Sequence, residues 1–453
     1  MLSMGSEILP RVCVVARRLA MASAAGLLLL AATSVVVWTA TPTGQDPQPE
    51  ATLVPLEAHT DTLVYVHAVW RHGDRTPAVA VPFSSESAWP EGLGELTRKG
   101  MAQQYRLGKW LRARYGKWLG NRFDRNEIFV RSSDFNRTLM SAQVNMAGFF
   151  PPSKSELWDN ALAWQPIPVH TVPKSIDKEL CESIECPTAS EELSRLWRSD
   201  LVRKMEDENK DIVEYLKLHS GIPNFEFRKL WMVYDNLFCM LQHNDTQKWP
   251  PWVNSTIFER IHVLYDKSSR LKYHTDLLRR LRGGPVLKDI IERFEAKANG
   301  TLGTRPKLYA YSAHDTTLAA SLAAIGIYPE EFPHYASVVL FELHKKGGQF
   351  VVEIYHKNVT DADQLYRYKI AGCGESCPLQ SFRSVTSRYL PDNWKEECGF
   401  EDTSAKKYII STFVFAFTTL LLTGVLILDV MLKRKRRSIR VVNHPLMADE
   451  EEA

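Results

Sequence analysis

Apolar runs and helical patterns alternate along the middle of the chain. Residues 63–70 form a nearly continuous apolar run, which is typical of a strand buried on both faces of a parallel sheet. Shorter runs at 128–130 and 307–312 predict two more strands, and the apolar spacing that begins near Thr97 predicts a helix between the first two. Alternating strands and helices indicate an α/β fold. Two further strands are predicted at 338–343 and 350–355.

The stretch 152–295 has a different pattern, with many Trp, Leu and charged residues and breaks at Pro and Gly. It predicts a helical cap domain inserted into a sheet domain, whose two parts are about residues 60–151 and 300–400. The sheet is expected to be mixed and flanked by helices. After Gly372 the chain is expected to be rich in loops.

Two runs of 20 apolar residues are long enough to span a membrane. The first, 19–38, follows two arginines and predicts a secretory signal within residues 1–40, either cleaved or retained as an anchor. The second, 409–428, precedes a basic cluster at 433–437, which is typical of a stop-transfer helix. We therefore predict a luminal or extracellular body at 41–408, a transmembrane helix at 409–432 and a cytosolic tail at 433–453.

Net charge and cysteine content restrict which functions and cell compartments fit the chain. The chain has 453 residues and a net charge of +3, and the stretch between its two basic ends is neutral. A neutral body argues against nucleic-acid binding. Six of the seven cysteines lie on the predicted luminal side, which suggests disulfides. Of the five N-x-S/T sequons there, we expect no glycan at Asn136, because it would obstruct the fold, and glycosylation at Asn244, Asn254, Asn299 and Asn358.

Charged residues follow three of the predicted strands: Arg71, His72 and Arg75 after the first, Arg131 after the second, and His314 and Asp315 after the third. Because ligands bind at the carboxyl ends of strands in open α/β sheets, we expect these side chains to form one site. Arginine forks match phosphate oxygens, and a histidine can attack phosphorus to form a phosphohistidine. We interpret His72 as the nucleophile, the arginines as phosphate ligands and Asp315 as the proton donor. This chemistry requires no metal and no cofactor.

Taken one at a time, these residues have plainer interpretations. Arg131 alone would more often be a partner in a surface ion pair, and His314 with Asp315 could simply cap a helix. Their recurrence at equivalent strand ends favours the site. If the pKa of Asp315 is ordinary, an acid optimum follows, since an aspartate is mostly protonated only at acid pH.

Three sequence blocks carry a family resemblance. The segment RHGDRTP at 71–77 resembles the RHGxRxP signature of the histidine acid phosphatases, and VRSSDFNRT at 130–138 and YSAHDTT at 311–317 resemble two further blocks of that family. The resemblance covers roughly residues 63–400 and is closest to the animal lysosomal, prostatic and testicular enzymes. It implies a histidine-phosphatase-like fold with a helical cap, His72 as nucleophile, Asp315 as proton donor, and Arg71, Arg75, Arg131 and His314 as phosphate ligands.

The family scheme of disulfides is only partly present. Cys239 matches one half of a third pair, but Val338 stands where its partner is expected, and Cys181 is an extra cysteine. We hypothesise a Cys181–Cys239 bridge, although Cys181 could take Cys398 as its partner, or Cys239 could remain a buried thiol. The resemblance weakly implies a homodimer. The two pairs that it implies directly are Cys186–Cys398 and Cys373–Cys377.

The expected function is hydrolysis of phosphate monoesters, either small molecules or phosphoproteins. A phosphatase specialised for lysophospholipids or inositol phosphates is the alternative within the family, and a non-catalytic ectodomain is the alternative outside it. The expected location is the lysosomal membrane or the cell surface, since the tail has no tyrosine or acidic dileucine sorting signal.

Overall fold

The computed structural model describes residues 50–58, 60–181, 184–328, 331–358, 363–400 and 403–442. The predicted signal or anchor at 1–40 and the end of the predicted tail lie outside these residues.

Within the described residues, nine strands form one mixed sheet. Its order is β1-β8-β7-β6-β2-β5-β3-β4, with β9 paired to β7. The neighbours β2/β5, β5/β3 and β3/β4 are parallel, and the other pairs are antiparallel. The mixed sheet is therefore confirmed. The strands are β1 (Ala51–Val54), β2 (Leu63–Arg71), β3 (Ile128–Ser133), β4 (His170–Val172), β5 (Leu308–Ala313), β6 (Val338–Lys346), β7 (Gln349–Lys357), β8 (Leu365–Tyr368) and β9 (Cys377–Pro378).

Helices cover both faces of the sheet and build the cap. A π-helical segment at Arg279–Gly283 joins the last short cap helix to the sheet domain. The helices are α1 (Arg98–Leu119), α2 (Asn136–Phe149), α3 (Pro187–Trp197), α4 (Asp200–Glu208), α5 (Lys210–His219), α6 (Leu230–Gln242), α7 (Ser255–Arg270), α8 (Asp276–Leu278), α9 (Gly284–Ala298), α10 (Asp315–Ala323), α11 (Leu379–Thr386), α12 (Trp394–Glu397) and α13 (Thr403–Val442).

Strand β2 lies in the interior of the sheet and is buried on both sides. Val66 and Trp70 belong to the core that α1 and α2 cover, whereas Tyr65 and Val69 belong to the core that α9, α10 and α11 cover. Side chains alternate between the faces of a strand, so a strand covered on both faces needs apolar residues at nearly every position. Burial of both faces of β2 therefore explains the continuous apolar run at residues 63–70.

The cap is shorter than the sequence predicts. Helices α3 to α8 share a core of their own, but both ends of the predicted stretch 152–295 belong to the sheet domain. Near its start, His170–Val172 forms the edge strand β4 beside β3. At its end, α9 packs beneath the sheet, where Phe294 lies in one core with Tyr65. An edge strand of three residues is too short to detect from periodicity, and an amphipathic helix does not show which domain covers it.

The parallel strands β2 and β5 end side by side, because Arg71 is in register with Ala313. The neighbouring strand β3 extends to Ser133, past the end expected at Arg131. Helix α2 therefore starts late, with Phe135 at the N-cap and no side-chain cap. Ser132 and Ser133 continue the strand and its pairing with β4, so neither of them caps α2.

Two glycines let α1 pack closely on the loop after β2. A Cβ atom on Gly73 would lie 2.2 Å from the Gly100 carbonyl oxygen, and one on Gly100 would lie 2.1 Å from the Asp74 oxygen. Real Cβ atoms do not approach other atoms this closely, so both positions require glycine. The Thr97 side chain caps this end of α1 by accepting from the Gly100 amide. The start of α1 thus holds the segment that follows the nucleophile candidate.

The long C-terminal helix α13 contains one segment, Ser411–Arg437, that is apolar and long enough to cross a membrane. Its described large apolar side chains, such as Phe413 and Leu420, are exposed. An exposed apolar surface of this length is typical of a membrane span.

Candidate active site

The ends of β2 and β5 bring two histidines together. The His72 amide donates to the Ala313 oxygen at 3.0 Å, which extends the strand pairing by one residue. His314 follows β5 directly and is the N-cap of α10. The two imidazole centroids are 5.6 Å apart and nearly perpendicular. Both rings are buried.

His72 is held as a neutral ring with one free nitrogen. Its Nδ1 lies 2.8 Å from the Gly73 carbonyl oxygen. A carbonyl can only accept, so Nδ1 carries the proton and Nε2 carries the lone pair. Burial lowers the pKa of His72 well below its usual value, and the positive charges of Arg137 and Arg71 lower it further. A ring that stays unprotonated in acid remains a nucleophile there.

Arg71 directly precedes the candidate nucleophile His72 in the chain and forms an ion pair with the candidate acid Asp315. Its Nη2 is 2.8 Å from Asp315 Oδ2, its Nη1 donates to the Pro333 oxygen, and its guanidinium stacks 4.2 Å from the Tyr335 ring centroid. Burial would raise the pKa of Asp315, but the charges of Arg71 and Arg75 hold the pKa below its usual value. In this state Asp315 is an ionised carboxylate, so the condition of an ordinary pKa, on which the acid optimum was to depend, is not met.

Arg75 reaches the site from the loop after β2. Its Nη2 is 2.8 Å from Asp235 Oδ1 and its Nη1 is 3.2 Å from Asp235 Oδ2, so helix α6 of the cap contributes a bidentate partner. The sequence did not single out Asp235. Nothing in its local pattern distinguishes it from the other acidic residues of the cap, because its partner lies 160 positions earlier.

Arg137 is the arginine that β3 and α2 deliver to the site. Its Nη2 lies 3.4 Å from His314 Nδ1, and its charge is the largest electrostatic influence on His72 after burial. Burial, followed by repulsion from Arg75, lowers the pKa of Arg137 to about 10. Arg137 belongs to the second family-like block, VRSSDFNRT, but its position there predicts no role for it. A cation in the first turn of a helix opposes the helix dipole, and this signal could have indicated an anion beside it.

Arg131, the predicted third phosphate ligand, lies in a different network. Its Nη2 contacts the carboxylates of Asp177 and Glu179. The prediction was wrong because β3 continues two residues past Arg131, so Arg131 stands before the common strand end. The plainer interpretation, an ion-pair partner, describes Arg131 correctly.

His314 contacts protein groups on both ring nitrogens. Its Nε2 is 2.8 Å from Ser133 Oγ, and its Nδ1 faces Arg137. Since an arginine can only donate, Nδ1 accepts and Nε2 carries the proton toward the serine. Burial lowers the pKa of His314 to about 3, and the charge of Arg137 adds to the effect. A neutral His314 in this tautomer orients Arg137 rather than contributing a second positive charge.

The convergence of three arginines indicates the ligand that this site suits. The Nε atoms of Arg71 and Arg137 are buried and have no hydrogen-bond partner among the described residues, as is also true of Arg131 and Arg367 outside the cluster. Buried N–H groups are normally satisfied, and three converging guanidinium groups repel each other. An oxyanion such as a phosphoryl group would satisfy the donors and neutralise the charge. Within the described part of the chain, no cluster of His, Cys, Asp and Glu is arranged to hold a metal ion.

Outside the arginines, the pocket wall is mainly aromatic. Tyr234 and Tyr265 stack with centroids 3.9 Å apart, and Tyr265 meets Phe332 edge to face. Burial raises the pKa of Asp266 to about 6, against the opposing charge of His262. The lining residues of this pocket, besides Arg71, Arg75, Asp235 and Asp315, are Tyr234, Phe238, His262, Tyr265, Asp266, Phe332, Pro333 and His334.

The cysteines form two disulfides in the described residues. They join Cys186 to Cys398 and Cys373 to Cys377, the two pairs that the resemblance implies. The hypothesised Cys181–Cys239 bridge is wrong, since Cys239 is a buried thiol. The inward face of α6 aims its Sγ at the loop after β2, where it lies 3.3 Å from the Arg75 oxygen.

The five sequons differ in accessibility. Asn136 is exposed at the start of α2, and its amide donates to Glu95 at 3.0 Å, so burial of this residue does not exclude a glycan there. Asn358 is half-buried, and its Oδ1 accepts from the His334 amide. The exposed ones among the four expected sites are Asn244, Asn254 and Asn299.

Comparison with known proteins gives one family. The family described as "Histidine phosphatase superfamily (branch 2)" matches residues 62–357. The chain is 47% identical over 388 residues to the Caenorhabditis elegans protein named "Putative acid phosphatase 5", covering 85% of this chain and 90% of that one. It is 35% identical over 379 residues to the human lysosomal acid phosphatase, covering 82% and 88% of the two chains. Human prostatic acid phosphatase is 36% identical over 343 residues, covering 74% and 88%.

Solved structures show the same fold at low sequence identity. The phytase of Klebsiella sp. ASR1 superposes with a TM-score of 0.57 at 16% identity, covering 74% of this chain and 98% of that one. The Hafnia alvei phytase gives a TM-score of 0.56 at 14% identity, with the same two coverages.

Proposed function

Because this chain belongs to branch 2 of the histidine phosphatase superfamily, and relatives over most of its length are acid phosphatases, we propose that it hydrolyses phosphate monoesters in acid through a phosphohistidine on His72. One observation supports this most strongly. The free Nε2 of His72 lies in a cluster of Arg71, Arg75 and Arg137, whose charges the Asp315 and Asp235 carboxylates only partly balance.

The reaction has two steps. In the first, the Nε2 lone pair of His72 attacks phosphorus, the ester P–O bond breaks, and Asp315 gives its proton to the leaving alkoxide. In the second, Asp315 takes a proton from water, the water oxygen attacks phosphorus, and the N–P bond breaks to release inorganic phosphate. Arg71, Arg75 and Arg137 stabilise the charge on the phosphoryl oxygens throughout. His314 orients Arg137.

The substrate is the source of the proton on Asp315. The charge of Arg71 keeps the Asp315 carboxylate ionised in the free enzyme. The free enzyme therefore does not supply the proton that Asp315 gives to the leaving group. A phosphate monoester has a second pKa of about 6 and is a monoanion below it. We propose that the substrate enters as the monoanion, that its phosphoryl proton passes to the Asp315 carboxylate on binding, and that the arginines hold the resulting dianion. The acid optimum then follows from the substrate monoanion.

A single assay tests this function. The protein is expected to hydrolyse an aryl phosphate at about pH 5 with and without EDTA, a condition under which the substrate is mostly a monoanion. Quenching a reaction with labelled substrate in alkali, in which a phosphohistidine is stable, should give a phosphoenzyme that His72→Ala lacks. The variant should fold, because the hydrogen bond of the His72 ring is a local one, to the carbonyl oxygen of the neighbouring Gly73. Substantial turnover by folded His72→Ala would contradict the proposal.

The outer pocket favours small monoesters over inositol polyphosphates. A substrate with many phosphates needs several cations beyond the first phosphate site, whereas the described wall offers aromatic rings, the Asp266 carboxylate and the two histidines His262 and His334 but no further lysine or arginine. A lysophospholipid phosphatase remains the alternative within the family. Comparing kcat/KM for an aryl phosphate, a lysophosphatidate and inositol hexakisphosphate separates the three.

We further propose a membrane-anchored protein with its catalytic body on the luminal or extracellular side. The apolar segment Ser411–Arg437 and the basic residues at its end support this orientation, as do the exposed sequons and the Cys186–Cys398 disulfide. Lysosomal relatives favour the endolysosomal pathway. Release of glycans by endoglycosidase from Asn244, Asn254 and Asn299 tests the assignment.

A homodimer is also proposed. Trp158, Leu162 and Trp164 are exposed within one short stretch of the body, and exposed aromatic clusters are typical of protein interfaces. Light scattering of the body, with Trp158→Ser as the variant, tests the oligomeric state. A monomer at micromolar concentration would contradict it.

A further inference from the structure

One face of the cap helix α6 contacts the loop that follows the nucleophile. Asp235 and Cys239 share one face of α6, four positions apart, and His243, the residue that follows the helix, meets the same loop. His243 Nε2 lies 2.6 Å from the Asp74 carboxylate, and the Cys239 thiol lies 3.3 Å from the Arg75 oxygen. Each contact reaches a residue within three positions of His72.

The Asp235 contact is the most directed of the three. Its two oxygens bind both terminal nitrogens of Arg75, and Oδ2 also accepts from the Ala78 amide at 2.8 Å. Arg75 Nη1 donates in addition to the Thr76 oxygen. The carboxylate is itself largely buried, with 13% of its side chain exposed. A planar guanidinium bound through both terminal nitrogens has one orientation, and its side edge, which carries Nε and the second hydrogen of Nη2, is left for an oxyanion.

We propose that Asp235 is a positioning residue that fixes which edge of Arg75 faces the phosphoryl group. The inference rests on the proposed function, since it takes Arg75 as a phosphate ligand. Asp235 does not contact the reacting atoms and acts through Arg75. The cap therefore contributes to phosphate binding itself as well as to the outer pocket wall.

A competing interpretation predicts the opposite change in phosphate affinity when the Asp235 charge is removed. If the Asp235 carboxylate merely competes with phosphate for Arg75, removing its charge makes the site more positive and tightens phosphate binding. If it positions Arg75, removing its charge frees the guanidinium and weakens binding. The inhibition constant of inorganic phosphate, measured on the full chain in detergent, distinguishes the two.

Asp235→Asn is the first variant, because it keeps the shape and removes the charge. The inhibition constant of phosphate should rise about tenfold, the effect of weakening one charged hydrogen bond. Asp289→Asn is the matched control, since Asp289 also pairs with an arginine at 3.1 Å but lies away from the pocket. The control should lower the melting temperature without changing phosphate inhibition.

A double-mutant cycle separates positioning from general destabilisation. In an Arg75→Ala background, Asp235→Asn should no longer change phosphate inhibition, because the residue through which it acts is gone. An undiminished effect would overturn the inference, as would unchanged or tighter phosphate binding by folded Asp235→Asn. If Asp235→Asn does not fold, Asp235→Glu shifts the carboxylate while keeping its charge, and the same weaker binding is expected. A wild-type chain that neither hydrolyses aryl phosphate nor binds phosphate would instead refute the proposed function.

Discussion

The sharpest prediction contrasts two arginines of the same sequence block. Arg131 follows the apolar run of β3, and Arg137 lies six positions later in the first turn of α2. The sequence pattern predicts Arg131 as a phosphate ligand, whereas the structure brings Arg137 to His72 and His314. Replacing each by alanine should therefore affect different quantities.

Arg137→Ala should reduce activity strongly. The side chain can present its buried Nε and its Nη2 to a phosphoryl group, and hydrogen bonds to charged groups contribute about 1.5–3 kcal/mol each. A loss of about 3–4 kcal/mol of transition-state stabilisation corresponds to a roughly 100- to 1000-fold fall in kcat/KM. Stability should hold or improve, because Arg137 is repelled by Arg75 and its pKa is lowered by burial.

Arg131→Ala should reduce stability instead. It leaves the Asp177 side chain, which is completely buried, without its cationic partner, and breaking a buried ion pair costs about 3–5 kcal/mol. Arg131→Lys, which keeps the charge but loses the fork, should be the milder variant. For folded enzyme, kcat/KM should stay within about threefold of wild type, because the side chain lies in a separate network.

The assay is kcat/KM for an aryl phosphate, normalised to active enzyme by phosphoenzyme burst, together with thermal unfolding of each variant. Equal catalytic losses in folded Arg131→Ala and Arg137→Ala would refute the assignment of the two networks. A larger catalytic loss for Arg131 would restore the prediction from sequence.

Three other predictions concern proton transfer, acid stability and topology. Asp315→Asn should slow alkyl phosphates more than nitrophenyl phosphate, since a phenolate leaves with little help from an acid; equal losses would give Asp315 a binding role. Burial lowers the pKa of His67, His314 and His356 to about 3, so the unfolded chain binds more protons between about pH 6.5 and pH 3, and the free energy of unfolding should fall as the pH drops through that window. Urea unfolding of His67→Leu should show a weaker pH dependence than wild type, and an unchanged slope would exclude His67 as a contributor. Protease added to sealed microsomes should remove only the cytosolic ends beyond Ser411–Arg437, and digestion of the body would reverse the proposed orientation.

The central part of the site could be predicted from the sequence because its residues lie at the ends of strongly apolar strands. A strand buried on both faces leaves a clear run, so the positions of His72 and His314 follow from where β2 and β5 end. The same reasoning failed for β3, where the polar residues Ser132 and Ser133 continue the strand. Strand pairing, rather than hydrophobicity, determines that boundary, and its error moved the predicted ligand from Arg137 to Arg131.

Contacts between distant segments could not be predicted from local pattern. The partner of Arg75 is a carboxylate of the cap, and the position of Cys239 depends on how α6 docks on the loop after β2. The short strands β1, β4 and β8 are likewise stabilised by their neighbours rather than by their own sequence. Each of these features depends on contacts that exist only in the tertiary fold.

The buried thiol of Cys239 has a consequence for biosynthesis. In the native protein it is inaccessible, and burial raises the pKa of Cys239 far above its usual value, so little reactive thiolate forms. During oxidative folding, before α6 has docked, the same thiol is exposed alongside the cysteines that must form Cys186–Cys398. Correct disulfide pairing then depends on whether the cap helix docks before mixed disulfides form. Variants that slow cap docking should accumulate as disulfide-linked aggregates in the secretory pathway even when the final fold is stable.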